Sequence, residues 1–190
     1  MKVFLLDADV NRYEMLTYSN QEDSKRIMDW FCGEPIGDRW TPLKVEVLRD
    51  DENKDRPSSD FPGAGASKPT FSSRALEALQ DMLDSNGETL PLDCKDGEYW
   101  MFNVTRVVDA LDEKNCEVKR FSDGGVMRVE RYSFKPERIQ GLAIFKILQF
   151  PCSDIYVTDL FVERVKAAGL TGFKFNLLWD SEGPSTEPLS

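Results

Sequence analysis

The sequence predicts an α+β domain, with an antiparallel or mixed sheet carrying about three helices. Three observations point there. From Tyr99 onward, several short runs alternate apolar and polar residues and are separated by turn signals. The stretch TFSSRALEALQDMLDSNG instead repeats its apolar residues with the helical period. Finally, 190 residues with a hydrophobic fraction of 41% and a charged fraction of 31% suit one soluble domain. A chain of this length buries a core without help from disulfides or metals.

The elements follow in order. Lys2 to Leu6 reads as a first strand, and Tyr13 to Tyr18 holds a second. Asp23 to Phe31 reads as a short helix with Ile27, Met28, Trp30 and Phe31 towards the core, stopped by Gly33, Pro35 and Gly37. Leu43, Val45 and Val47 alternate with Lys44 and Glu46, the pattern of a half-buried strand. Residues 50–69 are charged, then rich in Ser, Pro and Gly, and are expected to form an exposed loop. Phe61, its one large apolar residue, either anchors that loop or meets a partner.

Ser72 is placed to cap the main helix, Phe71 and Leu76 to staple it, and Asn86 with Gly87 to stop it. Glu88 to Glu98 reads as an acidic loop. Strands are expected over Tyr99 to Thr105, Cys116 to Phe121, Val126 to Phe134 and Leu142 to Phe150, with a hairpin turn at Asp123-Gly124-Gly125. A strand, a helix and a strand then complete the fold. Thr158 is the expected cap of that helix and Gly169 its left-handed end. The fold is expected as a single domain over residues 1–180, with a disordered tail at 181–190.

Several chemistries find little support. FPGAGASKP lacks the Gly-Lys-Ser/Thr core of a phosphate-binding loop. The sequon Asn103-Val104-Thr105 lies inside an expected strand. Histidine is absent, which removes the usual base of serine and cysteine nucleophiles. Cys32, Cys94, Cys116 and Cys152 are widely spaced and form no CxxC pair, so they are expected as reduced, packed thiols rather than zinc ligands. No metal and no cofactor are expected. Carboxylate pairs such as Asp109 with Asp112, or Asp93 with Asp96, leave open an enzyme acting on a glycan or a modified protein. Asp50, Asp51, Glu52 and Asp55 could hold a cation, but they lack the EF-hand glycine and read better as a solvated charge run. Among the four tryptophans, Trp100 and Trp179 are expected on buried strand faces, and Trp40 is expected to be partly exposed.

The net charge of −10 argues against nucleic acid and anionic membranes as partners and favours a basic protein. Asp7 and Asp9 interrupt the apolar N-terminal run before any cleavage site, which predicts a cytoplasmic location.

A resemblance sharpens this. Phe61-Pro62, Ser73-Arg74-Ala75, Gly87-Glu88, Leu90-Pro91, Tyr99, Asn103, Asp109 and Leu111-Asp112 stand in a familiar order. Ile144-Phe145-Lys146, Tyr156-Val157, Gly172-Phe173 and Trp179 continue it. From about residue 60 to residue 180 the chain resembles a bacterial immunity-protein family of polymorphic toxin systems, named after a myxobacterial member. The resemblance implies an α+β antitoxin that binds and neutralises a cognate secreted toxin; with no histidine in the chain, that neutralisation is expected to work by occlusion, without chemistry of its own. It assigns no catalytic residues. The candidate toxin-binding residues are therefore read from charge and exposure: Asp50, Asp51, Glu52, Asp55, Asp93, Asp96, Asp109 and Asp112 for a charged rim, with Trp40 and Phe61 as apolar anchors.

Overall fold

The computed structural model describes residues 1–51, 55–65 and 68–183. The chain opens with strands β1 (Lys2–Ala8) and β2 (Leu16–Tyr18), helix α1 (Gln21–Trp30), a single 3-10 turn (Gly37–Arg39) and strand β3 (Leu43–Val47). Then come β4 (Thr70–Ser72), α2 (Ser73–Leu83), β5 (Gly87–Cys94), β6 (Tyr99–Val104), β7 (Val107–Val108), β8 (Glu117–Arg120) and β9 (Val126–Arg131). A one-turn helix α3 (Pro136–Ile139) leads to β10 (Ile144–Ile147), β11 (Tyr156–Thr158), α4 (Asp159–Ala167) and β12 (Phe173–Asp180).

These strands form two five-stranded sheets and one two-stranded ribbon among the described residues. The first sheet has the order β12-β1-β11-β10-β7, and the second the order β2-β3-β5-β6-β4. Both are mixed: β7 runs parallel to β10, and β3 parallel to β5. The expected α+β class is therefore what the chain adopts.

Alternation decides which faces meet. Leu6, Ile144 and Val157 of the first sheet pack with Phe71 and Phe102 of the second, under Ala75, Leu79 and Leu83 of α2 and Phe161 and Val165 of α4. On the opposite face of the first sheet, Val3, Phe145, Tyr156 and Trp179 pack against Tyr132, Phe134 and Ile139. Leu16, Val45, Leu90 and Met101 of the second sheet receive Ile27 and Phe31 of α1. Arg164 clamps α4 to α2 with a two-pronged pair to Asp81, at 2.6 and 3.0 Å.

Caps follow the sequence in part. The Ser72 hydroxyl accepts from Ala75 N–H, and Gly169 takes φ +61° at the end of α4. Thr158 stands at the cap position of α4, but its hydroxyl donates to Leu142 O at 2.7 Å instead of capping.

Three expectations change. The acidic stretch from Glu88 is largely strand β5, not loop. Pro91 is tolerated there because β5 pairs with β6 from Gly87 to Pro91 and with β3 only from Leu92 onward, so the missing N–H falls where no β3 partner exists. The second half of the segment expected to be exposed is packed: Ser59 to Pro62, Ala64, Lys68 and Pro69 are buried. Lastly, Cys32 and Cys152 are joined in a disulfide, while Cys94 and Cys116 are free thiols. Their wide sequence spacing hid this, because α1 and the β10–β11 connection meet only in the folded chain. The expected tail falls mostly on residues 184–190, which lie outside the described residues.

Candidate functional site

The second sheet presents an open, charged face. On β3, Leu43, Val45 and Val47 are buried, while Lys44 and Glu46 point to solvent. Lys44 is opposite Asp93, Thr17 opposite Glu46, and Pro91 opposite Trp100. With a side-chain period of two, these residues share one face. Towards Phe102 that face is covered by α2. Around Trp100, Pro91, Asp93, Lys44 and Glu46 it is not. Trp100 is accordingly half-buried on this face, rather than in the core as its alternation predicted.

The rim continues into the turns. Asp96, after β5, accepts from the Val47 N–H at 3.4 Å and lies 3.9 Å from the Arg49 guanidinium. This tie brings the β5–β6 turn against the end of β3, from which Asp50 and Asp51 run on, both exposed. A shallow depression of about 280 Å³ lies between them, lined by Thr17, Glu46, Arg49, Lys95 and Asp96 among others. Asp93, Asp96, Asp50 and Asp51 thus belong to one end of the second sheet, interleaved with Lys44, Arg49 and Lys95. Asp55 is exposed in the segment that follows, and Glu52 lies outside the described residues.

The remaining acids sit elsewhere. Asp109 and Asp112 follow β7 of the first sheet, so the expected rim divides into two groups. Asp109 pairs with Lys135 at 3.0 Å, and Asp112 accepts from the Asn115 amide at 2.7 Å. Of the acids considered for catalysis, Asp96 lines that depression without Asp93 beside it.

The two aromatic anchors behave differently. Trp40 is half-buried: its indole N–H donates to Pro91 O at 3.0 Å and its ring stands edge-on to Phe31. Its ring packs on the α1 side of the second sheet, opposite the face that bears Trp100, which corrects its place as an anchor of the open face. Phe61 is only 4% exposed and stacks on Phe173 with centroids 4.5 Å apart. It anchors its own segment to the body and offers no surface to a partner, which corrects its place among the candidate contacts. The adjoining Asp60 does the same work for the polar groups. Its carboxylate accepts from the Ser72 hydroxyl, the Arg74 guanidinium and the Thr171 N–H and hydroxyl, joining three segments.

A second network stiffens the edge of β5. Glu88 accepts from Ile36 N–H at 2.7 Å, Gly37 N–H at 2.9 Å and the Asn103 amide at 3.0 Å. Burial alone would raise the Glu88 carboxyl. Those three donors and the Arg39 charge outweigh it and hold the carboxyl below its ordinary value. Asn103 therefore fixes the 34–37 turn, not the segment bearing Asp109.

Sequence reasoning missed a buried group of charges near the disulfide. The Lys146 ammonium donates to Phe31 O and to Pro151 O, the carbonyls just before Cys32 and Cys152. Lys68 donates to Cys152 O at 2.9 Å. A lysine between Phe145 and Ile147 in an all-buried strand was the available signal.

With this geometry in place, likeness to known proteins bears on the family. Residues 92–179 match the Immunity protein family (Imm11). The match runs from the end of β5 to β12 and includes Asp93, Asp96, Asp109 and Asp112. No curated protein matches the chain. No helix among the described residues is long and apolar enough to cross a membrane.

Proposed function

We propose that this chain is an immunity protein that binds a cognate secreted toxin in the cytoplasm and neutralises it by occlusion, without catalysing a reaction. The family match over residues 92–179 carries this reading. The open face of the second sheet supports it. A docking surface needs roughly 800 Å² per partner, with an apolar centre inside a charged rim. Trp100 and Pro91 supply apolar area there, and Asp93, Asp96, Asp50 and Asp51 supply the rim. In a chain of net charge −10 such a rim suits a basic toxin, whose approach it speeds.

The test uses the cognate toxin domain. Asp93→Lys combined with Asp96→Lys should slow association about tenfold at low salt and flatten its salt dependence. Unchanged rates and an unchanged salt slope would place the toxin on another surface.

A further inference from the structure

The disulfide and the buried cations beside it form a site of their own, apart from the acidic face. Cys32 follows α1, and Cys152 lies in the β10–β11 connection. Cys152 is exposed and Cys32 half-buried, so reagents in solution reach the bond. Two ammonium groups stand behind it. Lys146 donates to Phe31 O and Pro151 O, the carbonyls that precede the two cysteines, and Lys68 donates to Cys152 O at 2.9 Å. Lys68 also lies over the Phe31 ring, 5.8 Å from its centroid. Both lysines are buried, Lys146 at 1% and Lys68 at 5% exposure.

A buried charge is costly unless an opposite charge meets it. Among the described residues, one carboxylate acts on these cations: Asp154 stands near Lys68 and accepts from the Tyr156 hydroxyl at 3.3 Å. The influences on Lys146 are burial and the like charge of Lys68. The cluster therefore has room for one more negative charge beside the sulfurs. A disulfide carries none, and reduction supplies it. A thiolate at Cys152 would be flanked by Lys68 on its own carbonyl and by Lys146 on the carbonyl before it. Cations this near lower a thiol's pKa and keep it in its nucleophilic form. Cys32 is the less favoured thiolate. It follows the negative end of α1, and its sulfur lies 3.6 Å from Met28 O.

We propose that Cys152 and Cys32 form a reversible redox switch, in which Cys152 is the hydroperoxide-reactive thiolate held by Lys68 and Lys146, and Cys32 is the resolving thiol. The Cys152 thiolate attacks one oxygen of a hydroperoxide. The O–O bond breaks, the sulfur becomes a sulfenic acid, and the other oxygen takes a proton and leaves as water or an alcohol. The Cys32 thiol then attacks the sulfenic sulfur, closing the disulfide and releasing water. A dithiol reverses the outcome. Its thiolate attacks the exposed Cys152 sulfur, Cys32 leaves and takes a proton, and the second thiol of the reductant frees Cys152 as the reductant becomes a disulfide. The switch governs the tie between α1, which covers the second sheet, and the β10–β11 connection of the first. Disulfides of cytoplasmic proteins are usually transient and catalytic or redox-sensing, so the switch fits the location proposed above and needs no toxin.

The test follows the cysteines of the reduced full chain by mass spectrometry during alkylation with iodoacetamide. In the folded wild type, the pH midpoint of Cys152 alkylation should lie about one unit below its midpoint in the urea-unfolded chain. Cys116, whose thiol burial pushes up, should shift the other way in the same samples. Lys68→Met with Lys146→Met should return the Cys152 midpoint to the unfolded value. One equivalent of hydrogen peroxide should re-form the Cys32–Cys152 bond, and in Cys32→Ser it should leave a Cys152 sulfenic acid that dimedone traps. Excess dithiothreitol should open the bond without urea. A wild-type Cys152 midpoint at or above the unfolded value would overturn the proposal, however the variants fold. So would a bond that opens only in urea, or peroxide that leaves Cys152 a free thiol. None of these readouts involves a toxin, so the immunity reading stands or falls separately.

Discussion

Lys146 is the residue whose surroundings are least typical of its type. It is 1% exposed, and its ammonium bridges the carbonyls of Phe31 and Pro151. Burial, with the nearby Lys68 charge adding to it, pulls its pKa down to about 7. An exposed lysine in the unfolded chain titrates near ~10.4. Between those values the unfolded chain binds a proton that the folded chain has released, so stability rises with pH across the window, and the gain has gone once pH has fallen to about 7. Relative to Lys146→Met, the wild type should gain about 1 kcal/mol between about pH 6.5 and 8, measured by urea unfolding. A flat difference would show that Lys146 does not change its charge there. Little of this is legible from residue types. They reveal a lysine inside an apolar run, but not the two carbonyls, one of them far away in the chain, that the fold brings to it.

At the scale of elements, legibility followed locality. Helix α2 was readable because its cap, apolar stripe and stop all lie within one short stretch. The turn joining β8 and β9 was readable for the same reason, with Gly124 at φ +91°. Strand β5 was not, because acidic residues and Pro91 mask a strand whose support comes from β3 and β6. Gly87 at its start is demanded by that packing: a Cβ there would stand 2.2 Å from Asn103 O and 2.6 Å from the Phe102 ring. Gly87→Ala should therefore cost about 3 kcal/mol, seen as a lower urea midpoint at unchanged slope. An unaffected midpoint would mean that the two strands separate easily. The disulfide is the other long-range device. It joins α1, which covers the second sheet, to the β10–β11 connection of the first, across 120 residues of sequence. Closing so long a loop restricts the unfolded chain strongly, so reduction should remove about 3–5 kcal/mol. Urea unfolding with and without dithiothreitol measures this, and Cys32→Ser with Cys152→Ser should be insensitive to the reductant. Equal stability in both conditions would contradict it. In a reducing compartment the bond opens, and the two buried lysines are then left to hold these segments together.

For the whole molecule, charge and family converge. The net charge of −10 and the match of residues 92–179 to an immunity-protein family both support the proposed reading, in which the partner is a basic toxin. Residue types also placed most of the acidic candidates on the surface. They did not reveal that Asp93 and Asp96 gather at one end of the second sheet while Asp109 and Asp112 lie on the first, because sheet membership depends on the β3–β5 and β7–β10 parallel pairings. Nor did they separate Phe61, a packing residue, from Trp100, which borders the open face. The most direct measurement is growth of a bacterial host producing the cognate toxin domain, with and without this chain. The account predicts that growth is restored by the wild type and lost again with Asp93→Lys and Asp96→Lys at equal expression. Cells that die regardless of the wild-type chain, although it is folded and abundant, would contradict it.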